Sequence, residues 1–84
     1  MGPDPLREQI AAVIAARIAD GTYDLQRRIP GELALADEFK VSRNTVRAAV
    51  AILVDQGVVR VVRGRGMFAV AKPPTEAQPD EGRD

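Results

Sequence analysis

Two helical patterns separated by only three residues constrain the fold of this 84-residue chain more than any other feature. They predict helices at about 31–39 and about 43–55, joined by "KVS" at residues 40–42. Ser42 is a favourable N-cap for the later helix. Helices joined by so short a turn cross at a steep angle, as in a helix-turn-helix unit. The apolar face of the later helix consists of Val46, Ala49, Val50 and Leu53.

A third helical pattern precedes this unit, at about 5–19. Asp4 and Pro5 are typical of a helix start, and Gly21 is typical of a helix end. The predicted apolar stripe consists of Leu6, Ile10, Val13, Ile14 and Ile18. The segment "TYDLQRRIPGE", residues 22–32, is predicted to be a loop.

The pattern of a β-hairpin follows at residues 58–70, where "VVRVV" and "MFAVA" flank an Arg-Gly-Arg-Gly tip. A hairpin directly after a helix-turn-helix unit is the wing of a winged helix. We therefore predict an α+β, mainly α fold, a three-helix winged helix-turn-helix with a C-terminal β-hairpin wing, over residues 1–72. Residues 73–84 are polar and net acidic, and they are predicted to form a disordered tail.

The composition excludes several classes of function. The chain has no cysteine and no histidine, so it lacks thiolate ligands and the commonest general base. We predict no catalytic residue, no metal and no cofactor, and an enzyme is the weakest hypothesis. No apolar run is long enough to span a membrane and no secretory signal is present, so a soluble, cytoplasmic protein is expected.

The charges are unevenly distributed although the formal net charge is zero. Residues 27–65 contain eight basic and four acidic residues, a net charge of +4. Residues 1–26 and 66–84 each contain two basic and four acidic residues, a net charge of −2. A phosphate backbone responds to the local potential rather than to the total charge. The basic middle of the chain is therefore a candidate nucleic-acid surface.

The solvent side of the predicted 43–55 helix carries residue types that bind DNA. Arg43, Asn44, Thr45 and Arg47 lie in or beside its first turn. Arginine pairs bidentately with guanine and asparagine with adenine in the major groove, and hydroxyls bind phosphate. The same residues are also ordinary on a solvated helix face, and the helix alone leaves that alternative open.

The wing tip adds Arg63, Gly64 and Arg65. Glycines permit a tight turn and a close approach to another backbone, and arginines neutralise phosphates or enter a narrow minor groove. The alternative is a charged tip that keeps an edge strand from aggregating.

The run from Arg28 to Val70 resembles the N-terminal winged-helix domain of the GntR family of bacterial transcription regulators. The resemblance covers about residues 6–70 and rests on "ELALADEF", "VSRNTVRAAVAIL", "QGVV" and "GRGMF" in this order. It implies a sequence-specific regulator, expected to be a repressor, that binds a palindromic double-stranded DNA operator as a homodimer. The family's DNA contacts carry over to Ser42, Arg43, Asn44, Arg47 and Gly64, with Thr45, Arg63 and Arg65 beside them.

Several features depart from the family pattern. Gly31 stands where serine is usual, and Leu33 stands where the family often has an arginine that contacts DNA. Lys40 stands where glycine is common, so it is expected either to adopt an unusual φ or to supply a phosphate contact.

Partners follow from the same comparison with the family. Its members normally add a C-terminal domain that binds an effector and dimerises, so no effector site is expected in this chain. Two copies are expected to pair only on DNA. The alternative function is a winged helix that binds a protein rather than specific DNA, which Leu33 and the zero net charge favour.

Overall fold

Three helices and a small sheet make up the part of the chain that the computed structural model describes, residues 5–73. The elements are α1 (Pro5–Ala19), β1 (Arg28–Ile29), α2 (Glu32–Phe39), α3 (Arg43–Asp55), β2 (Val59–Val62) and β3 (Gly66–Ala69). The three predicted helices are confirmed, and only the start of α2 shifts, from residue 31 to Glu32. Asp4 and the predicted tail beyond Pro73 lie outside the described residues. No helix within residues 5–73 has the length and apolarity to cross a membrane.

An aliphatic core lies between the helices and the sheet. The predicted apolar face of α3 is fully covered, and Leu35 of α2 is completely buried against it. The sheet closes the core with Ile29, Val59, Met67 and Ala69, and Val58, which directly precedes β2, is buried with them. Each buried Val, Leu or Ile side chain contributes about 1.5–3 kcal/mol relative to an exposed one, and Tyr23 and Phe39 pack against this core as partly buried residues.

The predicted stripe of α1 was wrong at two positions. Leu6 and Val13 are 42% and 39% exposed, whereas Ala11 is buried. Ala11 lines a groove together with Leu53 of α3, and both residues belong to the core cluster. Leu6 and Val13 instead border a shallow groove beside Phe39. Periodicity identified the helix, but the position of α3 decided which residues it covers.

The sheet has three antiparallel strands in the order β1-β3-β2. The predicted loop at 22–32 was wrong at Arg28 and Ile29, which form β1 and pair with Phe68 and Met67 of β3. Two residues followed by Pro30 are too few to produce a strand pattern. The predicted second strand was too long, since β3 ends at Ala69.

The turn between α2 and α3 contains the expected unusual φ. Lys40 has φ 59° and ψ 46°, in the left-handed region, and its N–H caps α2 by donating to Ala36 O. The N–H of Val41 donates to the same carbonyl at 3.0 Å. This left-handed residue ends α2 sharply and lets α3 begin within three residues.

An arginine fixes α2 against α1 and thereby positions the helix-turn-helix unit. Arg17 Nη1 of α1 donates to Tyr23 Oη at 2.6 Å and to Glu38 Oε1 of α2 at 3.1 Å. Its guanidinium also lies 5.6 Å and 5.3 Å from the ring centroids of Tyr23 and Phe39. The hydrogen bond from Arg17 holds the pKa of the Glu38 carboxyl below its usual value.

Candidate nucleic-acid interface

The first turn of α3 is fixed by a side-chain cap. Ser42 has an extended backbone, with φ −75° and ψ 159°, and its Oγ accepts a hydrogen bond from Thr45 N at 3.1 Å. The two hydroxyls lie 3.0 Å apart. Capping satisfies one of the N–H groups that a helix start leaves without a partner. Ser42 therefore has a structural role in addition to its predicted contact with DNA.

Arg47 is held by two residues on the exposed side of α3. Its Nε and Nη2 donate to the two carboxylate oxygens of Glu32 at 3.2 Å and 3.0 Å, and Nη1 donates to Asn44 Oδ1 at 3.3 Å. The side chain remains 56% exposed, so the outer N–H groups of the guanidinium stay open to solvent. The structure thus brings Asn44 and Arg47 together in one hydrogen-bonded cluster.

Glu32 is the member of this cluster that the sequence did not predict as a site residue. The hydrogen bond from Arg47 lowers the pKa of the Glu32 carboxyl, and burial opposes that shift. The same hydrogen bond raises the pKa of Arg47. Both groups are consequently ionised at neutral pH. The signal in the sequence was weak, since α2 and α3 must be docked before a residue in one can meet a residue in the other.

Lys40 and Arg43 border an open groove beside the turn. The groove is also lined by Leu33, which is the most exposed large apolar side chain of the described residues at 65%. Asp37 lies in the same lining and offsets part of the positive charge. The departures from the family pattern at Leu33 and Lys40 therefore fall on one surface with a predicted DNA-contact residue.

The wing tip is a tight turn that displays its arginines. Arg65 N donates to Val62 O at 2.9 Å and closes the turn. Gly64 has φ +80°, which the third position of a type II turn requires and residues with a Cβ rarely adopt. Arg63, Gly64 and Arg65 are all exposed.

Arginines outside the tip also line the wing, and the sequence did not predict them as site residues. Arg27 and Arg28 share a cleft with Gly64 and Arg65. Arg60 lines a neighbouring cleft that also contains Arg65. These residues were counted in the basic middle of the chain, but only the pairing of β1 with β3 places Arg27 and Arg28 beside the wing.

The predicted site residues thus fall into two groups. Ser42, Thr45, Asn44, Arg47, Arg43 and Lys40 surround the start of α3, and Arg63, Gly64 and Arg65 form the tip. Within residues 5–73, no hydrogen bond or ion pair joins the two groups. Each group exposes cations on a rigid element, as contact with a phosphate backbone requires. The fold and these two surfaces define the class of winged-helix DNA-binding proteins.

Comparison of this sequence with known proteins identifies its family. Residues 6–69 match the family model described as bacterial regulatory proteins, gntR family. The chain is 51% identical over 67 residues to an HTH-type transcriptional regulator of Rhizobium meliloti (strain 1021), covering 80% of this chain and 28% of that protein. It is 43% identical over 68 residues to the mannosyl-D-glycerate transport/metabolism system repressor MngR of Escherichia coli (strain K12), covering 81% and 28%. The chain belongs to the GntR family of bacterial regulatory proteins.

A solved structure of a DNA-bound regulator has the same fold and a related sequence. The crystal structure of AraR(DBD) in complex with operator ORX1 superposes with a TM-score of 0.76 at 36% identity, covering 83% of this chain and 82% of that one. The two curated relatives are transcriptional regulators, and the operator complex of AraR(DBD) does not favour the alternative of a protein-binding module. The chain spans less than a third of the length of the two curated relatives, of which it covers 28% each.

Proposed function

We propose that this chain is the DNA-binding part of a transcriptional repressor and reads an operator with the exposed start of α3. In this proposal α3 lies in the major groove with Arg43, Asn44 and Arg47 directed at base edges. The wing tip lies on the backbone or in the adjacent minor groove. The observation that carries the proposal is the state of the Arg47 guanidinium. Hydrogen bonds to Glu32 and Asn44 fix its orientation, and its remaining N–H donors stay exposed. An oriented fork suits bidentate pairing with guanine O6 and N7.

A homodimer on a palindromic operator is part of the proposal. A single winged helix buries little surface and reads few base pairs, and tight operator binding generally needs two half-sites about one helical turn apart. We expect two copies to assemble on DNA, and sedimentation with and without operator measures this. A non-enzymatic role in the bacterial cytoplasm, where operators lie, follows from the same proposal.

Selection of binding sites from random duplex DNA at physiological salt is the first test. We expect enrichment of a palindromic motif whose half-sites are spaced for two α3 helices. No enrichment of any sequence, with the folded protein at micromolar concentration, contradicts the proposal.

Two substitutions of Arg47 then test its role in base reading. Arg47→Ala is expected to weaken binding to the selected site by about 5- to 100-fold and to relax the preference for one base. Arg47→Lys retains the charge without the fork, so it should lose the base preference but keep the salt dependence. Lys72→Gln is the matched control, because Lys72 donates to Ala19 O at the end of α1, away from both groups of site residues. Unchanged base preference in both Arg47 variants contradicts the assignment.

A further inference from the structure

An aromatic residue between two arginines crosses the outer face of the sheet. Phe68 of β3 pairs with Arg28 of β1 on one side and with Arg60 of β2 on the other. Their neighbours Ile29 and Met67 are buried, and successive residues of a strand face opposite sides. Arg28, Phe68 and Arg60 therefore form one row on the side of the sheet that faces away from the core, and both arginines are exposed.

Arg28 leans along β3 towards the wing tip. A Cβ built on Gly66, two residues nearer the tip than Phe68, would lie 2.9 Å from Arg28 Cδ and 3.3 Å from Arg28 Cγ. The stem of Arg28 consequently occupies the space that a side chain at residue 66 would fill. This path carries the guanidinium into the cleft that Gly64 and Arg65 of the tip also line.

The cations of this face lack acidic partners. Among residues 5–73, the side chains of Arg27, Arg28, Arg60 and Arg65 form no hydrogen bond or ion pair, and no carboxylate lines either cleft beside Phe68. Among the same residues, two arginines do have carboxylate partners, Arg17 with Glu38 and Arg47 with Glu32. Four like charges around one ring repel one another, and a polyanion laid across them relieves that repulsion.

We infer that the outer face of the wing sheet is a second phosphate-binding surface, on which Arg28 and Arg60 bind the backbone of duplex DNA beyond the wing tip. The inference rests on the proposed function. The minor groove is about 6 Å wide and is bounded by a phosphate strand on each side. A hairpin tip that contacts this groove therefore meets one strand on its inner side and the other on its outer side, where these arginines lie. Phe68 lies between Arg28 and Arg60 in this row and lines both clefts.

The salt dependence of operator binding tests this surface. Arg28→Gln and Arg60→Gln each remove one charge from an exposed side chain and keep most of its length. Each variant is expected to reduce the slope of log K against log salt concentration by about 0.9 per bound copy, and the double variant by about 1.8 per bound copy, so that the change doubles when two copies occupy the operator. Base preference in the selected site should stay unchanged, because backbone contacts carry no sequence information. Lys72→Gln removes the same charge at the end of α1 and should leave the slope as in the wild type.

Phosphate ethylation interference locates the contact. Phosphates whose ethylation weakens wild-type binding on the far side of the tip should lose this effect in the Arg28→Gln and Arg60→Gln double variant. If the double variant keeps the wild-type slope and interference pattern while Arg47→Ala still relaxes base preference, the outer face does not bind phosphate and the proposed function stands. If the wild type selects no sequence at all, the proposed function itself fails. Far-ultraviolet circular dichroism confirms that each variant is folded.

Discussion

Replacing Ser42 separates the capping role of this residue from its proposed contact with DNA. Ser42→Ala removes the acceptor of the 3.1 Å hydrogen bond from Thr45 N and leaves that N–H to solvent. Caps contribute about 0.5–2 kcal/mol, and water reaches this exposed position, so we expect the free energy of unfolding to fall by about 1 kcal/mol. For a domain of this size the melting temperature should fall by about 4–8 °C. Thermal unfolding followed by circular dichroism measures the shift.

Ser42→Asp is the matched variant, because aspartate caps a helix as well as serine does. Its negative charge is also favourable at a helix N-terminus, so stability should return to within about 0.5 kcal/mol of the wild type. The same charge repels a phosphate backbone, and operator affinity should fall below that of Ser42→Ala. A wild-type melting temperature in Ser42→Ala refutes the argument from the cap. Wild-type affinity in Ser42→Asp refutes the predicted contact of Ser42 with DNA.

Three further perturbations test the core, the turn and the ion pair between α1 and α2. Leu35→Ala is expected to lower the free energy of unfolding by about 2–5 kcal/mol, because the Leu35 side chain is completely buried. Leu33 is 65% exposed, so Leu33→Ala should change the free energy of unfolding by no more than about 0.5 kcal/mol. Urea unfolding measures both values, and equal values contradict the packing. Lys40→Gly should raise stability by about 0.5–1 kcal/mol by removing the left-handed strain of a residue with a Cβ, and Lys40→Ala, which keeps the Cβ, should not. Arg17 lowers the pKa of the Glu38 carboxyl, so the pair stabilises the fold above the unfolded pKa of about 4.5 and loses this effect as the pH falls through the folded value. Glu38→Gln should therefore show less loss of stability between pH 5 and about pH 3 in acid unfolding, and an unchanged profile contradicts the pairing.

The elements that sequence predicted correctly are the ones that local signals determine. The start of α3 followed from Ser42 and from apolar spacing, and both act within a few residues. The strand β1 did not follow, because Arg28 is extended only by pairing with Phe68, which is remote in the chain. The exposure of Val13 in α1 likewise depends on where α3 lies, which no window of sequence contains.

The candidate site divides in the same way. Residue types at the start of α3 and at the tip were predicted from charge, spacing and family resemblance. Their partners were not, since Glu32 and Arg47 are 15 residues apart and meet only when α2 docks on α3. Arg27 and Arg28 were not predicted as site residues because only the pairing of β1 with β3, which is remote in sequence, places them beside the tip. Non-local pairing, rather than weak propensity, limited what the sequence could predict.

The placement of carboxylates explains how a chain of zero net charge suits a polyanion. Within residues 5–73, the ion pairs place Glu32 on Arg47 and Glu38 on Arg17, while the wing arginines have none. An arginine already paired with a carboxylate gains less from a phosphate, because part of its charge is neutralised and its donors are occupied. Under the proposed function, the carboxylate at α3 therefore weakens nonspecific backbone contacts there and leaves the oriented outer edge of Arg47 for base recognition. The wing arginines, which have no carboxylate partner among residues 5–73, supply the salt-dependent part of the affinity. The acidic residues near the two ends of the chain bring the formal net charge to zero without neutralising the wing locally.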